Sequence, residues 1–137
     1  MATATNLAFK GKLAAFVQKS EKNAELVVRK LALQLLAELI KKSPVDTGRF
    51  RGNWFVQDSL SPVQTIDTDK GGDKTIGAGL VELGRFRLGQ TIYILNHLPY
   101  SIALEQGHSA QAPQGMVKIT VAEFEQYLRK VGAEVPK

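Results

Sequence analysis

The chain has 137 residues, 44% of them hydrophobic, and a net charge of +5, which suits one globular domain spanning residues 1–137. It contains no cysteine, which excludes disulfides, thiolate chemistry and Cys-ligated zinc. The charge is uneven, because residues 1–42 hold eight Lys/Arg and three Glu, whereas residues 43–137 hold ten residues of each sign. A basic helical region can contact nucleic acid, but it can equally contact an acidic protein or face solvent.

The N-terminal part predicts an arm followed by helix. Residues 1–6 are small and polar and are expected to form a flexible arm. They lack the basic and apolar parts of a signal peptide, and no apolar run reaches the roughly 18 to 20 residues of a membrane span. Residues 7–42 are interpreted as a helical region with a break near Ser20. Apolar pairs repeat every four residues from Val27 to Ile40 and predict a long amphipathic helix.

Two leucines, Leu26 and Leu33, lie outside the apolar stripe of this helix and indicate a second contact surface. Pro44 ends the helix and begins a turn. Within that turn, Asp46 is expected to cap the backbone through its side chain. Gly48 is expected to supply a backbone conformation that other residues resist.

The middle of the chain, residues 43–107, is expected to hold the sheet with short helices. Strands are predicted over Asn53–Asp58 and Thr91–Leu95, where β-branched and aromatic residues concentrate. Residues 59–75 between them form a predicted loop or hairpin. Ile76–Arg87 is interpreted as a helix, although its two interior glycines disfavour one.

A short helix is predicted after the second strand. Asn96 at the strand end starts a turn, the helix covers residues 100–106, and Gly107 ends it in the left-handed conformation. Tyr100 and Leu104 are expected to pack inward at positions i and i+4, which leaves Glu105 exposed.

The C-terminal part predicts a loop and a final helix. Residues 108–118 are expected to form the loop, and residues 111–115 within it are the expected partner-ordered segment. The helix is predicted over residues 119–132, with a capping box formed by Thr120 and Glu123. Its predicted apolar face is Val121, Phe124, Leu128 and Val131.

These elements predict an α+β fold. The long N-terminal amphipathic helix and the C-terminal helix are expected to pack on a small antiparallel β-sheet. The residues expected to form the core together are Leu35, Leu36, Leu39, Trp54 and Phe124.

The polar residues do not predict an active site. His108 follows Glu105 by three residues, which could make an acid/base or metal pair, but an exposed loop histidine is the favoured interpretation. No nucleophile elbow or Gly-rich phosphate loop is present in the sequence. We therefore expect no enzymatic activity, metal or cofactor, and a small hydrolase is the least favoured alternative.

Two Arg-x-Arg pairs remain open to two interpretations. Arg49 and Arg51 bracket Phe50, and Arg85 and Arg87 bracket Phe86. Each pair could present two guanidiniums to the carboxylates of a neighbouring subunit or to DNA phosphates. The alternative is ordinary exposed arginines with the phenylalanines buried between them.

Three stretches carry a resemblance to a known family. The first is Ser-Pro-Val-Asp-Thr-Gly-Arg-Phe-Arg-Gly-Asn-Trp at residues 43–54, directly after a long amphipathic helix. The second is Ile-Leu-Asn-His-Leu-Pro-Tyr-Ser-Ile-Ala-Leu-Glu-Gln-Gly-His-Ser at residues 94–109. The third is Gln-Ala-Pro-Gln-Gly-Met-Val at residues 111–117, before the final helix. In this order and spacing, over residues 20–131, they resemble the tail-completion (neck) family of long-tailed bacteriophages, which is related to the lambda minor tail protein Z.

The resemblance implies a virion structural protein for tail completion or head-tail joining. It would form a ring at the head-proximal end of the tail, in the neck or tail of the particle, after assembly in the bacterial host cytoplasm. The implied partners are further copies of the chain, with a hexamer favoured over a dodecamer, the phage connector, and tail terminator or tube proteins. Non-specific contact with genomic DNA is also expected, and membrane contact is not. The alternative function is a basic DNA-binding module acting on the passing genome.

The interface hypothesis draws on the long helix, the arginine pairs and the loop after Gly107. Met116 is included as a flexible apolar residue suited to an adaptable contact. The expected interface residues are Leu26, Leu33, Arg49, Arg51, Arg85, Arg87, His108, Gln111, Pro113 and Met116. The expected structural turn residues are Asp46, Gly48, Asn96 and Gly107.

Overall fold

The computed structural model describes residues 24–134, and the expected arm and the first part of the predicted helical region lie outside them. The predicted α+β class is confirmed. The elements in chain order are α1 (Ala24–Lys42), a 3-10 turn (Arg51–Asn53), β1 (Trp54–Gln57), α2 (Asp73–Leu83), β2 (Tyr93–Asn96), α3 (Ser101–Glu105), α4 (Val117–Ala122) and α5 (Phe124–Glu134). No helix among these is long and apolar enough to cross a membrane.

Helix α1 is the central element of the described fold. The predicted stripe from Val27 to Ile40 is buried, so this helix packs against other elements along its length. Lys41 and Lys42 lie in the last turn, where positive charge interacts favourably with the negative end of the helix. The helix ends before Pro44, as predicted.

Strands β1 and β2 pair antiparallel, with Trp54 opposite Asn96 and Gln57 opposite Tyr93. The predicted strands are therefore confirmed in place, but each has four residues. Asn53 belongs to the 3-10 turn instead of β1, because its side chain bonds to the backbone on both sides of it. Within the described residues the sheet has these two strands, and the helices α1 and α2 contact β1.

Helix α2 begins at Asp73, three residues before the predicted start, with Gly72 at the N-cap position and the Asp69 carboxylate bonded to the first turn. Asp69 Oδ2 accepts hydrogen bonds from the backbone N–H and the hydroxyl of Thr75, both at 2.8 Å, and Oδ1 accepts from Gly72 N–H at 3.1 Å. Burial acts to raise the pKa of Asp69, but these hydrogen bonds outweigh it and hold the pKa below its ordinary value.

An interior glycine brings α2 close to α1. A Cβ at Gly79 would lie 2.4 Å from Leu36 Cδ2 and 3.3 Å from Val56 Cγ2. The glycine that disfavours a helix by propensity is therefore required by packing. The helix ends at Leu83, so the predicted continuation to Arg87 is wrong.

The hydrophobic core among the described residues consists of two clusters. The main cluster includes Leu36, Leu39 and Trp54, while the second cluster includes Leu35 and Phe124. All five residues expected in the core are buried, but they do not pack as one group. The clusters lie on different sides of α1, and Ile94 of β2 packs against both.

The predicted C-terminal helix is two helices, and the predicted capping box is wrong. Helix α4 begins at Val117, inside the segment expected to be a loop, and Thr120 is buried within it. The last helix, α5, begins at Phe124. Phe124, Leu128 and Val131 pack in the second cluster as predicted, but Val121 lies on α4 and is exposed.

Candidate interaction surfaces

The three sequence stretches meet at one end of the molecule, which we call the motif end (residues 43–54, 94–109 and 111–117). Asn96 Nδ2 donates to Phe50 O at 3.0 Å, and the ring of Tyr100 lies 5.8 Å from that of Phe50. These contacts join segments that are about 50 residues apart in the sequence. The stretches therefore form one structure at the C-terminal end of α1.

A serine and a tryptophan link the end of α1 to the sheet. Ser43 Oγ donates to Leu39 O at 2.6 Å and accepts a hydrogen bond from Trp54 Nε1 at 2.8 Å. All three residues are buried, and the hydroxyl satisfies both the helix carbonyl and the indole N–H. This pairing fixes the angle at which the chain leaves α1.

Arg51 caps the C-terminal end of α1. Its guanidinium donates to Ser43 O at 3.0 Å, to Lys41 O at 3.3 Å and to Lys70 O at 2.8 Å. The first two carbonyls belong to the negative end of the helix, where a cation is favourable. The donors of Arg51 are used within the chain, while the neighbouring Arg49 is half-buried.

Asn53 attaches the long loop after β1 to the motif end. Its side chain is 0% exposed. Its Nδ2 donates to Arg49 O at 2.7 Å and to Thr65 O at 3.0 Å, and its Oδ1 accepts from Thr65 N–H at 2.9 Å. The predicted loop is thus held at its middle by one amide.

Two of the predicted turn residues, Gly48 and Asn96, act as expected. Gly48 has φ +92°, and a Cβ there would lie 2.6 Å from Lys70 N. Asn96 Oδ1 accepts from Leu98 N–H at 3.2 Å, which makes the turn after β2. The predicted cap at Asp46 is wrong, because Thr47 Oγ1 accepts from Arg49 N–H at 3.2 Å and Asp46 is exposed.

Gly107 ends α3 in the predicted left-handed conformation, with φ +89°. Its N–H donates to Leu104 O at 3.1 Å, and His108 N–H donates to Ala103 O at 3.2 Å. This is the pair of hydrogen bonds of a Schellman motif. A Cβ at Gly107 would lie 2.4 Å from Pro113 O, so the following loop folds back over this glycine.

Glu105 was predicted to be exposed, but that prediction is wrong. Its carboxylate instead caps the start of α4. It accepts hydrogen bonds from the backbone N–H groups of Met116, Val117 and Lys118 at 2.8, 2.9 and 3.0 Å. Free N–H groups at a helix start favour an anion, and Glu105 supplies it from 11 to 13 residues away. Sequence reasoning missed this role because the two ends of the contact lie on different helices.

The loop between α3 and α4 is packed against the motif end. Gln111 Oε1 accepts from Val45 N–H at 2.9 Å, and its Nε2 donates to Val45 O at 3.0 Å. Met116 is 1% exposed and Ala112 is also buried, both in the main cluster. In this structure Met116 is a core residue and not a surface contact, while His108 and Pro113 are exposed.

Tyr100 also differs from its prediction. It was expected to pack inward, but it is exposed on the surface, with its ring against Phe50. Ile102 beside it on α3 is 63% exposed, whereas Leu104 packs against the main cluster as predicted. Helix α3 therefore presents an apolar surface at the motif end.

The other predicted interface residues lie near the opposite end of α1. Arg29 Nη2 donates to Phe86 O at 2.8 Å, and Leu88 N–H donates to Glu25 Oε1 at 3.0 Å. Arg85 and Arg87 are exposed beside these contacts, and Phe86 between them is buried.

Leu26 is exposed near the same end, while Leu33 in the middle of α1 packs partly against the main cluster. Glu25 and Lys41 are separated by sixteen residues of helix, or about 24 Å at 1.5 Å per residue. The predicted site residues are thus divided between two ends and do not form one site.

A groove opens between β1 and α2. It has a volume of about 500 Å³. Its lining residues are Phe55, Val56, Gln57, Asp58, Val63, Ala78, Val81 and Glu82. Sequence reasoning missed this surface, because it combines a strand, a loop and a helix that are joined only in the fold.

A polar cluster joins α1 to α5. Lys42 Nζ lies 2.9 Å from Glu38 Oε2 and donates to the hydroxyl of Tyr127 at 3.0 Å, and that hydroxyl donates to Glu123 at 2.7 Å. Burial acts to lower the pKa of Lys42, but its bonds to Tyr127 and Glu38 outweigh it and raise the pKa. Burial likewise acts to raise the pKa of Glu38, and Lys42 lowers it on balance. The cluster thus combines a salt bridge within α1 with hydrogen bonds that reinforce the packing of α1 against α5.

Among the described residues, no group of three His, Asp or Glu side chains is placed to hold a metal ion. Comparison of the chain with protein-family models, with curated proteins and with solved structures found no match.

Proposed function

We propose that this chain is a virion structural protein of a long-tailed bacteriophage, a tail-completion or head-tail joining subunit. It assembles into a ring at the head-proximal end of the tail, in contact with the connector and with tail terminator or tube proteins. A hexamer is favoured over a dodecamer. Non-specific contact between the basic N-terminal region and the genome accompanies this role.

The observation that carries the proposal is the convergence of the three resembling stretches. Phe50 binds Asn96, Val45 binds Gln111, and Glu105 binds the start of α4. The residues that carry the resemblance thus depend on one another in the fold. A chance resemblance of three separate stretches would not require such contacts.

The division of exposed apolar residues supports a ring. Tyr100 and Ile102 are exposed at the motif end, and Leu26 and Leu88 are exposed near the opposite end of α1. A head-to-tail contact needs two different surfaces on each subunit, and a fixed rotation between subunits closes the ring. The exposed apolar side chains near the two ends of α1 supply two such surfaces, and further exposed apolar side chains include Leu60, Ile66 and Val81.

Localisation and subunit count test the proposal together. Particles of the phage that encodes the chain are labelled with an antibody against it and imaged by electron microscopy, and purified chain is weighed by native mass spectrometry. We expect label at the head-tail junction and a mass that is a multiple of 15.0 kDa, six copies being favoured. Particles without label, together with nanomolar sequence-specific DNA binding at physiological salt, would favour the DNA-binding alternative instead.

A further inference from the structure

The sheet formed by β1 and β2 has two strands, so each strand has one paired side and one open edge, and the open edges lie on opposite sides of the sheet. No backbone hydrogen bond from another described segment reaches either strand. Unpaired N–H and C=O groups along a strand edge form a template for a further strand. A two-stranded sheet is also marginally stable by itself, so an added strand stabilises it.

The open edge of β1 lies in the groove between β1 and α2. Residues 55–58 line this groove together with Val81 of α2. Successive side chains of a strand point to opposite faces, so consecutive residues share a groove where it follows the strand edge. Val81 is 60% exposed on the opposite wall, and Val63 is exposed beside it. The groove therefore offers the edge of β1 and an apolar wall to an entering strand.

Strand β2 matches this groove in polarity and in charge. Its residues 93–96 are Tyr-Ile-Leu-Asn, and all four are half-buried. No acidic residue occurs in residues 83–104, and Arg87 before the strand is exposed. The groove holds the exposed Asp58 and Glu82, and the solvent-exposed ion pair of Glu82 with Arg85 at 3.0 Å contributes little to stability. An apolar strand without acidic neighbours therefore fits the acidic rim of the groove.

We propose that β2 of one copy enters this groove of the next copy and pairs with β1 there, so that the sheets of neighbouring subunits join. This pairing rests on the ring proposed above and names the contact that closes it. Rotation about a ring axis preserves the tilt of each strand relative to that axis, so β1 and the neighbour's β2 run antiparallel, as they do within one subunit. Each copy supplies both edges, and a closed ring leaves no edge open.

Chains with one cysteine each test the pairing, because the natural chain has none. Gln57→Cys on β1 is mixed with Leu95→Cys on β2, so every product of a short bis-maleimide links two chains. Both side chains lie on one face of the sheet, because Leu95 is opposite Phe55, two residues before Gln57. The control mixture is Arg129→Cys with Leu95→Cys, since Arg129 is exposed on α5. Purified chain and phage particles made with both variants are crosslinked, and native mass spectrometry gives the assembly state.

We expect links between positions 57 and 95 several-fold above the control mixture and above links between two like positions. Predominant links between two copies of Leu95→Cys would overturn the inference, because they indicate a two-fold contact of β2 with β2. Assembled chain without links between positions 57 and 95 above the control would overturn the edge pairing but leave the proposed ring standing. Chain that is monomeric in solution and absent from the particles would contradict both.

A charge in the groove provides a second test. Val81→Asp, added to the Gln57→Cys chain, places a carboxylate where the neighbour's β2 enters and should lower the yield of the link to position 95 by about tenfold. The melting temperature should not change, because Val81 is exposed. Val121→Asp, at an exposed valine of α4, is the control and should leave the yield unchanged. Equal yields with the two variants would contradict entry of the strand into the groove.

Discussion

The motif end and the contact between α1 and α5 are stabilised in different ways. At the motif end, the side chains of Arg51, Asn53 and Glu105 bind backbone groups at helix ends and in loops. At the helix contact, an apolar stripe packs against another apolar stripe, with the Lys42 cluster at one end. Both regions contain buried side chains. Those of the motif end are partly polar and hydrogen-bonded, whereas those of the helix contact are mainly apolar.

The difference determines how much sequence change each region tolerates. An apolar stripe accepts other apolar residues of similar volume. A buried amide that bonds two backbone positions has few substitutes, because removing it leaves donors and acceptors without partners. The three stretches at the motif end are therefore expected to tolerate fewer substitutions than the apolar stripes of the helices.

The largest expected effect on stability is at the apolar contact between α1 and α5. Leu31 is buried in the second cluster, so Leu31→Ala should lower the free energy of unfolding by about 3 to 5 kcal/mol. Leu26→Ala on the same helix should cost less than about 0.5 kcal/mol, because Leu26 is exposed. Urea unfolding followed by circular dichroism measures both, and equal losses would mean that the second cluster does not stabilise the fold.

The next effect compares two amides with the same bonding pattern. Asn53 pairs with Thr65 and Gln111 pairs with Val45, each through the backbone N–H and C=O, but Asn53 is buried and Gln111 is exposed. We expect Asn53→Ala to cost about 3 kcal/mol, since water cannot replace its bonds, and Gln111→Ala to cost about 1 kcal/mol or less. Urea unfolding measures both losses of stability. A larger loss for Gln111→Ala than for Asn53→Ala would contradict the expectation that the buried amide contributes more.

Two glycines in the left-handed conformation allow the steric cost of an added Cβ atom to be distinguished from the conformational cost of a non-glycine residue. Gly107 and Gly89 have φ of +89° and +98°, but a Cβ at Gly107 would meet Pro113 O at 2.4 Å, while a Cβ at Gly89 would have no heavy atom within 4 Å. Both Ala variants lose about 1 kcal/mol from the backbone conformation. Gly107→Ala should lose about 2 kcal/mol more. Similar melting temperatures for the two variants would show that the loop after α3 does not pack over Gly107.

The smallest expected effect is the pH dependence at Asp69. Its pKa is lowered in the folded state, so its contribution to stability is full above the unfolded pKa of about 3.9 and is lost as the pH falls through the folded value. Asp69→Asn should therefore cost about 1 kcal/mol at pH 7 and progressively less below pH about 4. Thermal unfolding across this range measures it, and a constant difference at all pH values would exclude the carboxylate as the cause.

The sequence predicts the elements with a local signal and misses those that depend on distant partners. The end of α1 at Pro44 and the left-handed glycines follow from local backbone chemistry. The cap at the start of α4 could not be found in this way, because Glu105 reaches it from another helix. Local residues predicted a false capping box at Thr120, which is buried inside α4.

The candidate interface shows the same limit. Arg51 and Met116 were predicted to be interface residues. In the structure Arg51 caps a helix and Met116 is a core residue. Ile102 at the motif end and Val81 at the groove, which the interface hypothesis omitted, are more than half exposed. Exposure depends on the packed structure, and an isolated apolar residue in a sequence carries no sign of it.

Complementation of a phage that lacks the gene tests the proposed function most directly. The natural chain, and Ile102→Asp at the exposed surface of α3, are supplied from a plasmid, and particles are counted by electron microscopy and plaque assay. The proposal predicts unjoined heads and tails without the chain and infectious particles with it. Ile102→Asp should keep its melting temperature, because the side chain is 63% exposed, and should fail to restore joining. Normal joined particles in the absence of the chain would contradict the proposal.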